Sequence, residues 1–263
     1  MVAKLFKIFI YWRIVRINGD NTVRVIYDGT IAHANGDSSE DRRVGTSVFN
    51  NNYNDNAYVG YMYGATKAST YDKAHANTND STIKVYIDNW YKTNILGTKN
   101  EQYLTDNVFC NDRSFSDDNN GSGVGTNTTY YRWYWGPWSM GNHNDNMKLM
   151  CPQQNDAFMV SDTTNGNGDL TYPIGLLSLD EIVLAGGWAE INTGYYLFSK
   201  QVWWAFSPLR SNGLNVSVRN VQLDGDANSY NSVNYSYGVR PVLNIRAEVL
   251  KYGDGTSSNP YHL

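Results

Sequence analysis

Apolar residues in this chain come in short alternating runs broken by Asn, Gly, Asp and Ser, with two stretches that instead follow a helical period. Residues 11–28 predict a hairpin. Trp12, Ile14, Val15 and Ile17 lead into Asn18-Gly19-Asp20-Asn21, and Val23, Val25 and Tyr27 alternate on the way out. An Asn-Gly pair between alternating runs favours a tight reversal. Residues 29–80 are mostly turn chemistry with short apolar islands such as 58–63. Residues 81–95 predict a helix capped by Asp80 or Ser81, with Ile83, Tyr86, Ile87, Trp90 and Tyr91 on one face. Residues 178–186 predict a second. Ser178 with Glu181 forms a capping box, Leu177 and Ile182 a hydrophobic staple, and Gly186 or Gly187 a stop. Beyond 195 the chain reads as strand and turn again, with 239–249 as a core strand.

The expectation from these pieces is an α+β domain: two helices, a strand pair at each end and long irregular loops between. The length of 263 residues fits a single domain, 1–263, with a long loop insertion at about 111–147. That insertion holds an aromatic cluster, residues 130–138, readable as a packed plug or as a ligand platform. Residues 1–10 read as the first strand or as a remnant ahead of it. They have a signal-like apolar stretch, but Lys7 interrupts it and no small-residue cleavage site follows before Tyr11. The first and last strands are expected to pair.

Composition narrows the function classes. Charged residues make up 17% and the net charge is −4, with no Lys/Arg cluster, which argues against a nucleic-acid partner. No apolar run reaches the length of a bilayer span, so no membrane insertion is expected. Polarity comes instead from Asn, about one residue in eight, beside 21 Tyr and 8 Trp. These residue types suit a recognition surface, giving contact area and adaptable hydrogen bonds. They equally suit a turn-rich β protein.

Cys110 and Cys151 are either buried thiols or one disulfide. A bridge would close a loop of about 40 residues, contribute roughly 4 kcal/mol and fit an extracellular setting. His33, His75, His143 and His262 are scattered without ligand spacing, so no metal and no cofactor is expected. Residues 117–121 and 165–169 resemble calcium loops but read as solvated turns; the first has no downstream Glu in the place an EF-hand needs it. Asp180 and Glu181 are better explained by capping than by acid/base work. Neither a Gly-x-Ser-x-Gly motif nor a phosphate loop occurs.

The last quarter has the densest polar and aromatic display. Leu214, Val216 and Val218 alternate with Asn215, Ser217 and Arg219. Strand geometry turns the first set inward and the second outward. The phase then slips, leaving Asn220, Gln222 and Asp224 outward of Val221 and Leu223, so a bulge is expected near Arg219-Asn220. Asp226, Asn228, Tyr230 and Asn231 follow in a loop, with Asn234 and Tyr235 approaching the closing strand. Trp203 and Trp204 read as core anchors. Arg240 reads as a buried structural cation, with Asp112 a candidate partner.

Five motifs carry a family resemblance: residues 11–16, residues 109–114, residues 170–176, Trp203-Trp204 with Ser207-Pro208, and Gly238-Val239-Arg240-Pro241. Their order resembles the C-type lectin fold in its formylglycine-generating-enzyme-like branch, and within it the variable proteins of diversity-generating retroelements. The resemblance implies a C-type lectin-like fold and a non-enzymatic receptor- or adhesin-type protein, on a bacterial cell surface or phage virion. It would bind an unknown cell-surface protein or glycan. It also implies that a hypervariable surface does the binding: Phe206, Arg210, Asn212, Asn215, Ser217, Arg219, Asn220, Gln222, Asp224, Asp226, Asn228, Tyr230, Asn231, Asn234 and Tyr235. The plainer alternative is a solvated sheet face with polar turns. Two departures bear on activity. No cysteine follows Cys151, whereas the formylglycine-generating enzymes use C-terminal cysteines. The sugar-binding calcium triplets Glu-Pro-Asn, Gln-Pro-Asp and Trp-Asn-Asp are also absent. An enzyme of that branch and a structural module of a fibre or pilus are the rival readings.

Overall fold

The computed structural model describes residues 1–5, 10–135 and 147–262. Its strands, in chain order, are Val2–Leu5 (β1), Ile10–Ile17 (β2), Val23–Gly29 (β3), Thr46–Val48 (β4), Met62–Tyr63 (β5), Asn79–Asp80 (β6), Phe109–Cys110 (β7), Thr129–Tyr130 (β8), Ala157–Phe158 (β9), Ile174–Gly175 (β10), Trp203–Ser211 (β11), Val216–Val221 (β12), Tyr230–Ser232 (β13), Ser236–Gly238 (β14) and Val242–Ile245 (β15). The α-helices are Tyr71–Ala74 (α1), Thr82–Asn94 (α2) and Leu179–Leu184 (α3).

The architecture is predominantly β. One sheet has the order β1-β2-β3-β15-β10. The other runs β13-β12-β11-β14-β4, with β8 also pairing β11. Short ribbons β5-β6 and β7-β9 complete the set. This overturns the α+β, C-type lectin-like expectation of two helices and small sheets. The two expected helices exist, but α3 is under two turns and α1 adds a single turn. Sheets of five and six strands carry the core instead. Many of the strands are two to four residues long, so no period-2 pattern is long enough to announce them.

Local signals that were strong enough did set local structure. The 11–28 hairpin forms, with the Asn18 N–H donating to the Thr22 carbonyl across the turn and Asn21 at φ 64°. Ser81 caps α2 by accepting from the Lys84 N–H, and Ile83, Ile87 and Tyr91 are buried. The Ser178/Glu181 capping box is present. The core strand 239–249 is shorter than expected: only Val242–Ile245 pairs, with β3 and β10. The chain ends do meet, through a bridge between Ala3 and Tyr261.

A single hydrophobic cluster runs from Ala3 to Val249. Within the described part of 111–147, Tyr131 and Trp133 join this cluster, and Asn111 and Arg113 are also buried. Cys110 and Cys151 form a disulfide with Cα atoms 5.4 Å apart. No helix among the described residues is long and apolar enough to cross a membrane.

Buried arginines are the second structural theme. Asp28 accepts from Arg13 (2.7 Å), Arg42 (2.7 Å) and Arg240 (2.9 Å), all wholly buried. Backbone carbonyls accept from most of the remaining donors, including Leu197 for Arg240 and Phe198 for Arg42, and the Asn35 side chain accepts from Arg13. Arg240 is thus the structural cation expected, but its partner is Asp28. Asp112 instead pairs with Arg132, which also reaches Asp180. Trp203 and Trp204 are core anchors as expected. The Arg240 guanidinium lies 5.2 Å from the Trp203 ring, and Trp204 donates to the Ser47 carbonyl.

Candidate functional site

The second sheet brings residues from four strands onto one face. Tyr130 on β8 lies opposite Arg210 on β11. Arg210 lies opposite Ser217 on β12, and Ser217 opposite Ser232 on β13. Two residues along β12, Arg219 lies opposite Tyr230. Residues directly opposite in a ladder share a face, as do alternate residues of a strand. Tyr130, Arg210, Ser217, Arg219 and Tyr230 therefore belong to one face.

The turn after β8 folds back over that face. Tyr134 stacks on Tyr130 at 4.0 Å, and Trp135 meets Tyr134 edge-on at 5.1 Å. The Trp135 indole N–H is held by Asp118 at 2.7 Å. Between turn and sheet lies a cleft of about 170 Å3 lined by Tyr134, Trp135, Leu209, Arg210, Arg219, Asn228 and Tyr230.

Two guanidinium groups meet at this cleft. Arg219 is buried and donates to the carbonyls of Trp133, Tyr134 and Asn228. Among the described residues no carboxylate pairs with it. Burial lowers its pKa to about 9, so it remains a cation at neutral pH. Half-buried Arg210 lies 5.2 Å from the Tyr230 ring, and Arg219 lies 5.9 Å from the same ring. The Arg210 Nε is buried and has no hydrogen-bond partner among the described residues. The cleft thus presents positive charge, flat aromatic surface and an amide, with no carboxylate, imidazole or thiol in its described lining. Such a set can bind and orient a ligand. No group of three or more His, Cys, Asp or Glu suited to a metal occurs among the described residues.

The fifteen residues expected to form a display surface divide sharply. Arg210, Arg219, Asn228 and Tyr230 converge on the cleft. Phe206 is a correction: it is fully buried, with its ring 4.8 Å from that of Tyr61. Ser217, Arg219 and Asn220 are also buried rather than outward. Strand β12 is covered on both faces, because the turn at 131–135 lies over the side that Ser217 and Arg219 occupy. The two leucines taken as inward are exposed, Leu214 by 78% and Leu223 by 56%, since both fall outside β12 in turns. The bulge expected at Arg219-Asn220 falls on the partner strand, where β11 shifts register between Trp204 and Arg210.

Several of the others build turns. The Asn212 Oδ1 accepts from the Leu214 and Asn215 N–H groups. Asp224 and Asp226 each accept from the N–H two residues on. Gln222 donates to Asn220 and Ser229. Asn231 is half-buried on β13, while Asn234 and Tyr235 are exposed in the next turn, outside the cleft lining.

Besides Leu209, the lining residues absent from the sequence-based set are Tyr134 and Trp135. Their signal was the aromatic cluster at 130–138, which resolves both ways. Tyr131 and Trp133 are packed, whereas Tyr134 and Trp135 reach the cleft. Gly136, Pro137 and Trp138 lie outside the described residues.

A wider groove of about 410 Å3 runs beside the disulfide, past Arg16, Asn18, Asp20 and Asn107. Its polar groups are committed to one another: Arg16 to Asn18 and Glu181, and Asn107 to Asp20 and Thr22. It is the weaker candidate for that reason.

No curated protein and no solved structure matches the chain. A family model does match, over residues 25–247, from β3 to just past β15. That span takes in the second sheet, most of β3 and all of β10 and β15 of the first, and the whole cleft, and the chain belongs to the family it describes, a domain of unknown function (DUF6273).

Proposed function

We propose that this protein is a non-catalytic binding module that holds its ligand in the cleft between the 131–135 turn and strands β11 to β13. The observation that carries this reading is the convergence of Arg210, Arg219, Tyr230, Tyr134 and Trp135 on one open concavity. Aromatic and Arg anchors are the side chains that dominate binding energy at recognition sites. The volume is below the roughly 300–1,000 Å3 of a drug-sized pocket, so one ring or one side chain of a larger partner fits. The disulfide supports an oxidising compartment, in keeping with display on a cell surface or virion.

Burial narrows the part of the C-terminal region in which side chains can differ without loss of the fold. Arg210, Asn228, Tyr230, Asn231, Asn234 and Tyr235 can vary; Phe206, Ser217 and Asn220 are held by packing.

The test is an array of glycans and cell-surface proteins probed with the wild-type chain and with Tyr230→Ala. A hit that disappears in the folded variant supports the cleft. Hits indifferent to the substitution reject it.

A further inference from the structure

We infer that the group seated in this cleft is an acidic monosaccharide unit of the uronic-acid type, its carboxylate on Arg210 and its ring against the aromatic wall. This rests on the cleft being the binding site, as proposed above.

Charge is the first reason. Arg210 and Arg219 both face the cleft, and no carboxylate stands among its described lining residues. Asp118, bonded to a lining residue, accepts from the Trp135 indole. Asp226 acts electrostatically on Arg219 and accepts from the Asn228 N–H, but it does not line the cleft. Two cations within 6 Å of one ring repel each other, and an anion relieves that repulsion.

Geometry is the second. Arg219 has its donors taken up by carbonyls, so it supplies field rather than a hydrogen bond. Arg210 is different. Its Nε is buried and unpartnered, and its Nη2 makes only a long 3.4 Å contact to the Tyr230 hydroxyl. Because that Nε has no accessible surface, a carboxylate in the cleft would be held end-on across the two Nη groups, which also form a bidentate fork.

Shape is the third. A cleft of about 170 Å3 takes one ring, not an extended chain. Its aromatic wall offers flat surface to the C–H face of a pyranose. Tyr134, Asn228 and Tyr230, all of which line it, carry polar groups suited to sugar hydroxyls.

The experiment is calorimetric titration of the full chain with glucuronic acid, glucose and a Glu-rich peptide. The wild type, Arg210→Ala, Arg210→Lys and Tyr230→Ala are compared, each checked for an unchanged melting temperature. The expected result is binding of glucuronic acid at least about tenfold tighter than glucose, weakened by salt. Arg210→Ala should remove that preference, and Arg210→Lys should restore only part of it. If glucose and glucuronic acid bind equally and Tyr230→Ala abolishes both, the cleft stands and the acidic ligand is wrong. If the peptide outcompetes glucuronic acid, the saccharide class is wrong. Absence of glucuronic-acid binding at millimolar concentration overturns the inference. Glucuronic-acid binding that is unchanged in both Arg210→Ala and Tyr230→Ala removes the cleft itself.

Discussion

Arg219 donates through its guanidinium to the Trp133 carbonyl, a bond that ties strand β12 to the turn lying over it. The bond positions the aromatic wall of the cleft. It also accounts for a buried cation that has carbonyls rather than a carboxylate for company. Replacing Arg219 with Met should free the turn, lowering stability and disordering Tyr134 and Trp135 together. Near-ultraviolet circular dichroism would register the second effect; an unchanged aromatic spectrum would contradict it.

Asp28 is the common acceptor for Arg13, Arg42 and Arg240. Removing one partner of a buried ion pair leaves uncompensated charge, at a cost of about 3–5 kcal/mol. Asp28→Asn should lose at least that much in urea denaturation, since three guanidinium groups are affected. A loss below about 1 kcal/mol, the scale of an exposed pair, would show that the carbonyls alone suffice.

Reduction of the disulfide should destabilise without touching the cleft. Cys110 and Cys151 are separated by 41 residues, for which loop-closure entropy gives roughly 4 kcal/mol. Neither cysteine lines the cleft. The Cys110→Ser/Cys151→Ser variant should therefore melt lower yet bind normally where folded. Loss of binding in the folded fraction would revive the enzyme reading.

His75 provides the pH prediction. Burial, and then the positive charge of Arg113, hold its pKa well below the usual imidazole value. The folded state thus refuses a proton that the unfolded state accepts below about pH 6.5. Stability should be flat in this respect above pH 6.5 and fall as the pH drops below it, with one extra proton taken up on unfolding. His75→Phe should flatten that part of the profile. Equal acid sensitivity in the variant would assign the effect elsewhere.

Turn-forming and freely exposed polar residues should separate by stability. Asn212→Ala removes an acceptor for two backbone N–H groups and should cost about 1 kcal/mol. Asn234→Ala, at an exposed turn position, should stay within about 0.5 kcal/mol. Chemical denaturation of the two variants side by side decides the matter. Equal values would erase the distinction between scaffold and surface drawn for this region.

Much of the local structure was legible in the sequence. The Asn18-Gly19 reversal, the Ser81 and Ser178 caps and the anchoring by Trp203, Trp204 and Arg240 all follow from short-range chemistry. What escaped reading was long-range. Nothing in the sequence announces that Tyr130 pairs with Arg210, eighty residues away, or that Asp28 serves Arg240. The alternation at 214–224 misled because it assumed one wet face. A strand covered on both sides hides Ser217 and Asn220 as fully as Val218, while the leucines of the flanking turns stand in solvent. The fold class failed for a related reason: the helices had clear signals, and the short strands that outweigh them had almost none.

The central claim is that ligand enters between the 131–135 turn and the face of β11 to β13. Backbone amide chemical-shift mapping with the best array ligand tests it most directly. The largest shifts are expected at 130–135, 209–210, 219 and 228–230. Shifts confined to the 212–215 and 234–235 turns, or to the groove beside Cys151, would contradict it.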